Sequence, residues 1–101
     1  MEIKIQTEND AVVGFFAGRL DTPASLQASK DIQPLLEQAD KTVILDFTNL
    51  EYISSSGLRI LLTLRKEASR KGGEVVIRGI REEIRQVFLM TGFYNLFVIQ
   101  G

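Results

Sequence analysis

The chain has no cysteine, no histidine and no tryptophan among its 101 residues. Without cysteine there are no disulfides and no thiol nucleophile, and without histidine there is no imidazole base. Together the two absences remove the usual nitrogen and sulfur ligands of zinc, so no metal and no cofactor is expected. No uncharged run approaches the ~20 residues of a membrane span, and Met1-Glu2-Ile3-Lys4-Ile5-Gln6 lacks the basic start and apolar run of a signal peptide. A cytoplasmic address without direct membrane insertion is the default. An excess of one charge sign is missing too. Twelve basic and thirteen acidic side chains leave a net charge of −1, so no global field draws the chain to nucleic acid or an anionic membrane.

What is present is the balance of a soluble globular domain, with 45% apolar and 25% charged residues. The length suits one core, so residues 1–101 are expected to form a single domain.

Ile3 and Ile5 alternate with polar neighbours as in a half-covered edge strand. Glu8-Asn9-Asp10 supplies a turn, and Ala11 to Ala17 a second strand, giving a hairpin. Gly14 and Gly18 mark a bulge or a close approach in that strand. Asp21 or Thr22 caps a helix with Pro23 in its first turn, and this helix is expected to bury Leu26, Ile32, Leu35, Leu36 and Ala39. Pro34 predicts a bend near Asp31 to Pro34, or two short helices.

Thr42-Val43-Ile44-Leu45-Asp46-Phe47 reads as a sheet-core strand ended by Thr48-Asn49. After Tyr52-Ile53 come Ser54, Ser55, Ser56 and Gly57, and then Ile60, Leu61, Leu64 and Ala68 at helical spacing. Gly72-Gly73 stops this second helix, and Glu74 to Arg78 forms another buried strand. Ile80, Ile84, Val87, Phe88 and Thr91 predict a third helix ended by Gly92, and Phe93 to Ile99 a last short strand. The fold class is α/β: a mixed sheet in the order β-β-α-β-α-β-α-β, with the first hairpin antiparallel and the later strands parallel. Strand C-termini gather at one edge of such a sheet, where Asp21, Asp46 and the serines are expected to meet.

The serines fall at a helix N-terminus, where unpaired N–H groups and the peptide dipoles favour negative charge. One hydroxyl caps the helix. A phosphate on one of the three would also be favoured there, bringing roughly −1.5 to −2 charge. Leu58 and Leu62 widen the apolar arc of this helix, to be used by an interface or covered by a neighbouring helix. Arg59, Arg65, Lys66, Arg70 and Lys71 make it basic, which suits an acidic partner or simply a solvated face. No aromatic residue is interleaved with them to stack on bases. Asp21 and Asp46 read as a helix cap and a strand-end anchor rather than as paired catalytic carboxylates, since no histidine or activated nucleophile accompanies them.

Gly18-Arg19-Leu20-Asp21, the segment from Val43 to Leu62 with Tyr52-Ile53-Ser54-Ser55-Ser56-Gly57-Leu58, and Thr91-Gly92-Phe93 together resemble the STAS domain, and within it the single-domain bacterial anti-sigma factor antagonists. In that family the loop reads Asp-Ser-Ser-Gly, and the serine after the aspartate is phosphorylated. Laid on Gly57, the phosphorylated serine matches Ser55, while Ser54 stands where the family has its aspartate. The resemblance implies a non-enzymatic regulator that binds an anti-sigma factor/serine kinase when unphosphorylated, is released on phosphorylation at Ser55, and is restored by a PP2C-type phosphatase. Partner contacts are expected at Asp21, Ser54, Ser55, Ser56, Gly57, Leu58 and Leu62, and the free protein is expected to be a monomer. Two rivals remain. One is a STAS subunit that is not phosphorylated, the accessory of a lipid transporter or a stress-signalling scaffold. The other is a small nucleotide-binding domain, against which stands the lack of a Gly-rich loop ending in Lys-Ser or Lys-Thr.

Overall fold

A computed structural model describes residues 1–100 of the chain. Strands β1 (Glu2–Glu8) and β2 (Ala11–Leu20) form the antiparallel hairpin, turning at Asn9 and Asp10. Two short helices follow, α1 (Thr22–Asp31) and α2 (Gln33–Glu37), and then strand β3 (Thr42–Ile53) and helix α3 (Ser55–Lys71). Strand β4 (Glu74–Arg78), helix α4 (Glu82–Thr91), a 3-10 turn (Phe93–Leu96) and strand β5 (Val98–Gln100) complete the described chain. The five strands make one sheet in sequence order, with every pair after the hairpin parallel.

The sheet is covered by helices on one face. Val43, Leu45 and Phe47 of β3 and Val75 and Ile77 of β4 share a single core with Ile32, Leu61, Leu64, Ile84 and Phe88. Phe16, Phe47 and Phe88 meet edge to face through it, with ring centroids 5.3 and 6.4 Å apart. The break between α1 and α2 falls at Ile32, two residues before Pro34, whose missing N–H cannot serve the carbonyl of Lys30. Leu35 instead donates to the Ile32 carbonyl in a tighter turn.

Four expectations need correction. Leu26 is 76% exposed, because α1 turns the small residues Ser25 and Ala28 inward and Leu26 lies on the far side of the helix. Strand β3 does not end at Thr48 but runs on to Ile53. Two register shifts against β2 give β3 an extra residue each, so its inward side chains Phe47, Leu50 and Ile53 recur every third position. Ile80 precedes α4 rather than joining it, and Phe93 to Leu96 is a 3-10 turn, with only Val98–Gln100 as strand.

The other face of the sheet carries its own cover of side chains. Val13, Ile44 and Val76 stand in register across β2, β3 and β4, and the next row holds Phe15, Asp46 and Arg78. Arg78 lies across this row. Its Nε donates to Asp46 Oδ2 at 2.9 Å, its terminal nitrogens donate to Glu8 at 3.2 and 3.3 Å, and its guanidinium sits 5.6 Å from the Phe15 ring centre.

Candidate functional site

Leu20 and Ile53 pair at the C-terminal ends of β2 and β3, and each strand passes directly into a helix. Both helix starts use the same device. Asp21, with extended backbone, caps α1 by accepting from the Ala24 N–H through Oδ1 at 2.9 Å. Ser54, also extended, caps α3 by accepting from the Gly57 N–H through Oγ at 3.2 Å.

Ser54 does more than cap. Its N–H and its hydroxyl both donate to the Leu20 carbonyl, at 2.9 and 3.0 Å, and the residue is only 8% exposed. The start of α3 is thereby clasped to the end of β2. An aspartate could accept from Gly57 equally well, but an ionised carboxylate has no proton to donate to Leu20. Gly57 completes the clasp by allowing close approach, because a Cβ there would lie 2.8 Å from Leu20 Cγ and 2.9 Å from Ile53 Cγ1.

Ser55 is the next residue and the first of α3. It is exposed, and its hydroxyl has no hydrogen-bond partner among the described residues. Ser56 is half-buried. The first N–H groups of the helix lack intrahelical acceptors, and the first turn carries no acidic residue to offset the positive end of the dipole. Of three consecutive hydroxyls, then, one is locked inward and one is presented outward where negative charge is favoured.

Asp21, Ser54, Ser55, Ser56 and Gly57 do come together at this edge. Asp46 does not. It sits on the open face seven residues before the end of β3, and pairs with Phe15 where Ile53 pairs with Leu20, so five steps of β2 at ~3.3 Å each separate it from the helix starts. Burial pushes its carboxyl upward in pKa, but hydrogen bonds from the Arg78 guanidinium and the Thr48 N–H outweigh this and hold it below the ordinary carboxylate value. Leu58 also departs from expectation. It is 6% exposed and part of the core, so its side chain offers no free surface, while Leu62 is half-buried. The apolar arc of α3 is wide because neighbouring elements cover most of it.

The edge also holds a pair that pattern reading does not reveal. Arg19 and Tyr52 are register partners, and the guanidinium stacks 4.3 Å from the ring centre. Their meeting depends on the two register shifts between β2 and β3, the second of which falls at Gly18, one of the two glycines expected to mark a bulge or a close approach. Among the described residues, no group of three or more acidic side chains is placed to hold a metal ion.

The family model described as the STAS domain matches residues 2–100. BtrV of Bordetella bronchiseptica, provisionally named an anti-sigma factor antagonist, is 25% identical over 99 residues, covering 98% of this chain and 85% of that protein. The anti-sigma F factor antagonist of Paenibacillus polymyxa is 21% identical over 100 residues, covering 98% and 86%. Among solved structures, the anti-sigma factor antagonist SpoIIAA in its unphosphorylated form superposes with a TM-score of 0.74 at 22% identity, covering 99% of this chain and 88% of that one.

Proposed function

This chain belongs to the STAS domain family, and on that premise we propose that it is an anti-sigma factor antagonist working by partner switching. In the unphosphorylated form it binds an anti-sigma factor that is also a serine kinase. Phosphorylation of Ser55 ends the complex, and a PP2C-type phosphatase renews the binding form. Residues 1–101 act as one domain, which is a monomer when free, works in the cytoplasm, and is a regulator rather than an enzyme. The names of its relatives support the role in sigma factor control.

The observation that carries the choice of residue is the sorting of the serines. Ser54 is buried and its hydroxyl is committed to Leu20 and Gly57, whereas the hydroxyls of Ser55 and Ser56 are both unengaged among the described residues, and of these two Ser55 is exposed and Ser56 half-buried. A kinase needs a hydroxyl that is both unengaged and exposed. A phosphate on Ser55 would meet the unpaired N–H groups of α3, so it should leave the fold intact and act in the interface through steric and charge conflict. Asp21, at the neighbouring helix start, fits a contact to the same partner.

The test is incubation with the candidate anti-sigma kinase and ATP, followed by mapping of the phosphate by mass spectrometry, with Ser55→Ala as control. Phosphate on Ser55 that is lost in the variant supports the reading. Stable binding without phosphate would favour a STAS subunit that is not phosphorylated, the alternative to which the hydroxyl at position 54, in place of a carboxylate, lends weight.

A further inference from the structure

Helix α3 carries five cations, but three are consumed within the fold. Arg65 Nε donates to the Leu96 carbonyl at 2.6 Å, Arg70 forks onto Glu67 at 2.8 and 2.9 Å, and Lys71 Nζ donates to the Leu36 carbonyl at 2.9 Å. Among the described residues the side chains of Arg59 and Lys66 make neither hydrogen bond nor ion pair, and both are exposed. They share one stripe of the helix. With 3.6 residues per turn, Ser55, Arg59, Leu62 and Lys66 fall within an arc of about 60° and span about 16 Å. Leu62 is half-buried between the two cations, and the only acid of α3, Glu67, is turned toward Arg70 and Lys71.

Resting on the partner-switching reading above, we propose that this stripe is where the kinase docks, through an acidic surface, and that phosphate on Ser55 releases it by cancelling the charge of the stripe. Two unpaired positive charges about 10 Å apart, on either side of a leucine, fit a protein surface with two carboxylates flanking an apolar contact. Ser55 lies four residues before Arg59, the anion-before-cation order that favours an ion pair along a helix. A phosphate there brings about −1.5 to −2 charge against two cations, so the stripe becomes nearly neutral without any change of fold. Arg59 is then held by its own chain instead of by the partner.

The experiment is calorimetric titration of the kinase with unphosphorylated protein and surface variants, each first checked for an unchanged melting temperature. Arg59→Glu should weaken binding about tenfold or more and Lys66→Glu somewhat less, while Lys4→Glu on β1 should leave it unchanged. Ser55→Glu should weaken the native protein more than it weakens Arg59→Ala, because Arg59 is the charge it cancels. If the double variant Arg59→Glu/Lys66→Glu binds within about twofold of the native protein while Ser55→Glu still abolishes binding, the docking stripe is wrong and the switch stands. If the native protein does not bind the kinase, or Ser55→Glu binds as tightly, the switch itself falls and the stripe with it.

Discussion

Around Asp46, on the open face of the sheet, each charged group answers another. Arg78 is shared between Asp46 and Glu8, and the second carboxylate oxygen of Asp46 takes the Thr48 N–H. At the ends of β2 and β3 the polar bonds run mainly to backbone, through Asp21 and Ser54, and they stop one residue short of Ser55. The first region uses its polar groups to join strands. The second uses just enough to fix two helix starts, and leaves the hydroxyls of Ser55 and Ser56 without a partner among the described residues, with that of Ser55 the more exposed. A site for modification needs the latter arrangement, since a group already satisfied must lose its bonds before it can react.

The sharpest way to break the contrast is to disturb the clasp beneath Ser55. Gly57→Val would drive a branched side chain against Leu20 and Ile53, where even a Cβ is closer than 3 Å. Overpacking of this kind should cost about 2–3 kcal/mol. Thermal denaturation checks the stability, and phosphorylation of Ser55 should slow with it because the helix start is displaced. Unaltered melting would mean that the strand ends yield more easily than their pairing implies.

Arg78→Leu tests the other region, and should cost about 1–2 kcal/mol by stranding the partly buried carboxylate of Asp46. The pH dependence fixes the cause. Because the folded carboxyl titrates below its unfolded value, its contribution is present above the unfolded pKa and is lost as the pH falls through the folded one. The deficit of Arg78→Leu should therefore be full at neutral pH and shrink below about pH 4. Binding of the partner and phosphorylation of Ser55 should not change, since the Asp46 row lies on the opposite face from α3. A loss of binding would join two regions that the fold keeps apart.

Much of the fold is legible locally. Val43 to Phe47, the Ile60–Leu61–Leu64–Ala68 stripe, Asp21 with Pro23, and Gly72 at a backbone φ of 84° each declare an element within a few residues. What local patterns do not show depends on distant pairing. The second half of β3 buries every third residue because two bulges keep it in step with β2, and neither period 2 nor period 3.6 describes that. Leu26 has the look of a core residue, as the first large side chain of its helix, yet the inward face there is Ser25 and Ala28. At the site, a serine cap before Gly57 is legible. Which of the three serines serves as the cap is not, because Ser54 is selected by the Leu20 carbonyl, 34 residues earlier in the chain. Asp46 resembles a site residue only if β3 stops at Thr48, and the strand's continuation to Ile53 carries the site away from it.

The clasp itself is tested by Ser54→Ala, which removes the acceptor for Gly57 and one of the two donors to Leu20. A loss of about 1–2 kcal/mol is expected, mostly from the cap. Ser54→Asp should recover most of the capping contribution but not the bond to Leu20, and so should melt between Ser54→Ala and the native protein. If Ser54→Asp melts as low as Ser54→Ala, the tie to Leu20 matters more than the cap.

The smallest effect on stability belongs to Ser55, one residue away. Its hydroxyl bonds to nothing among the described residues, so Ser55→Ala should shift stability by less than about 0.5 kcal/mol. Ser55→Glu should be neutral or slightly stabilising, because a carboxylate in the first turn meets the positive end of the α3 dipole. Melting curves of the two variants beside Ser54→Ala make the comparison at adjacent positions of one loop. A large loss at Ser54 with none at Ser55 is what a fixed frame holding a free hydroxyl predicts. Equal losses would mean that Ser55 also serves the frame, and a modification there would then act through the fold rather than in an interface.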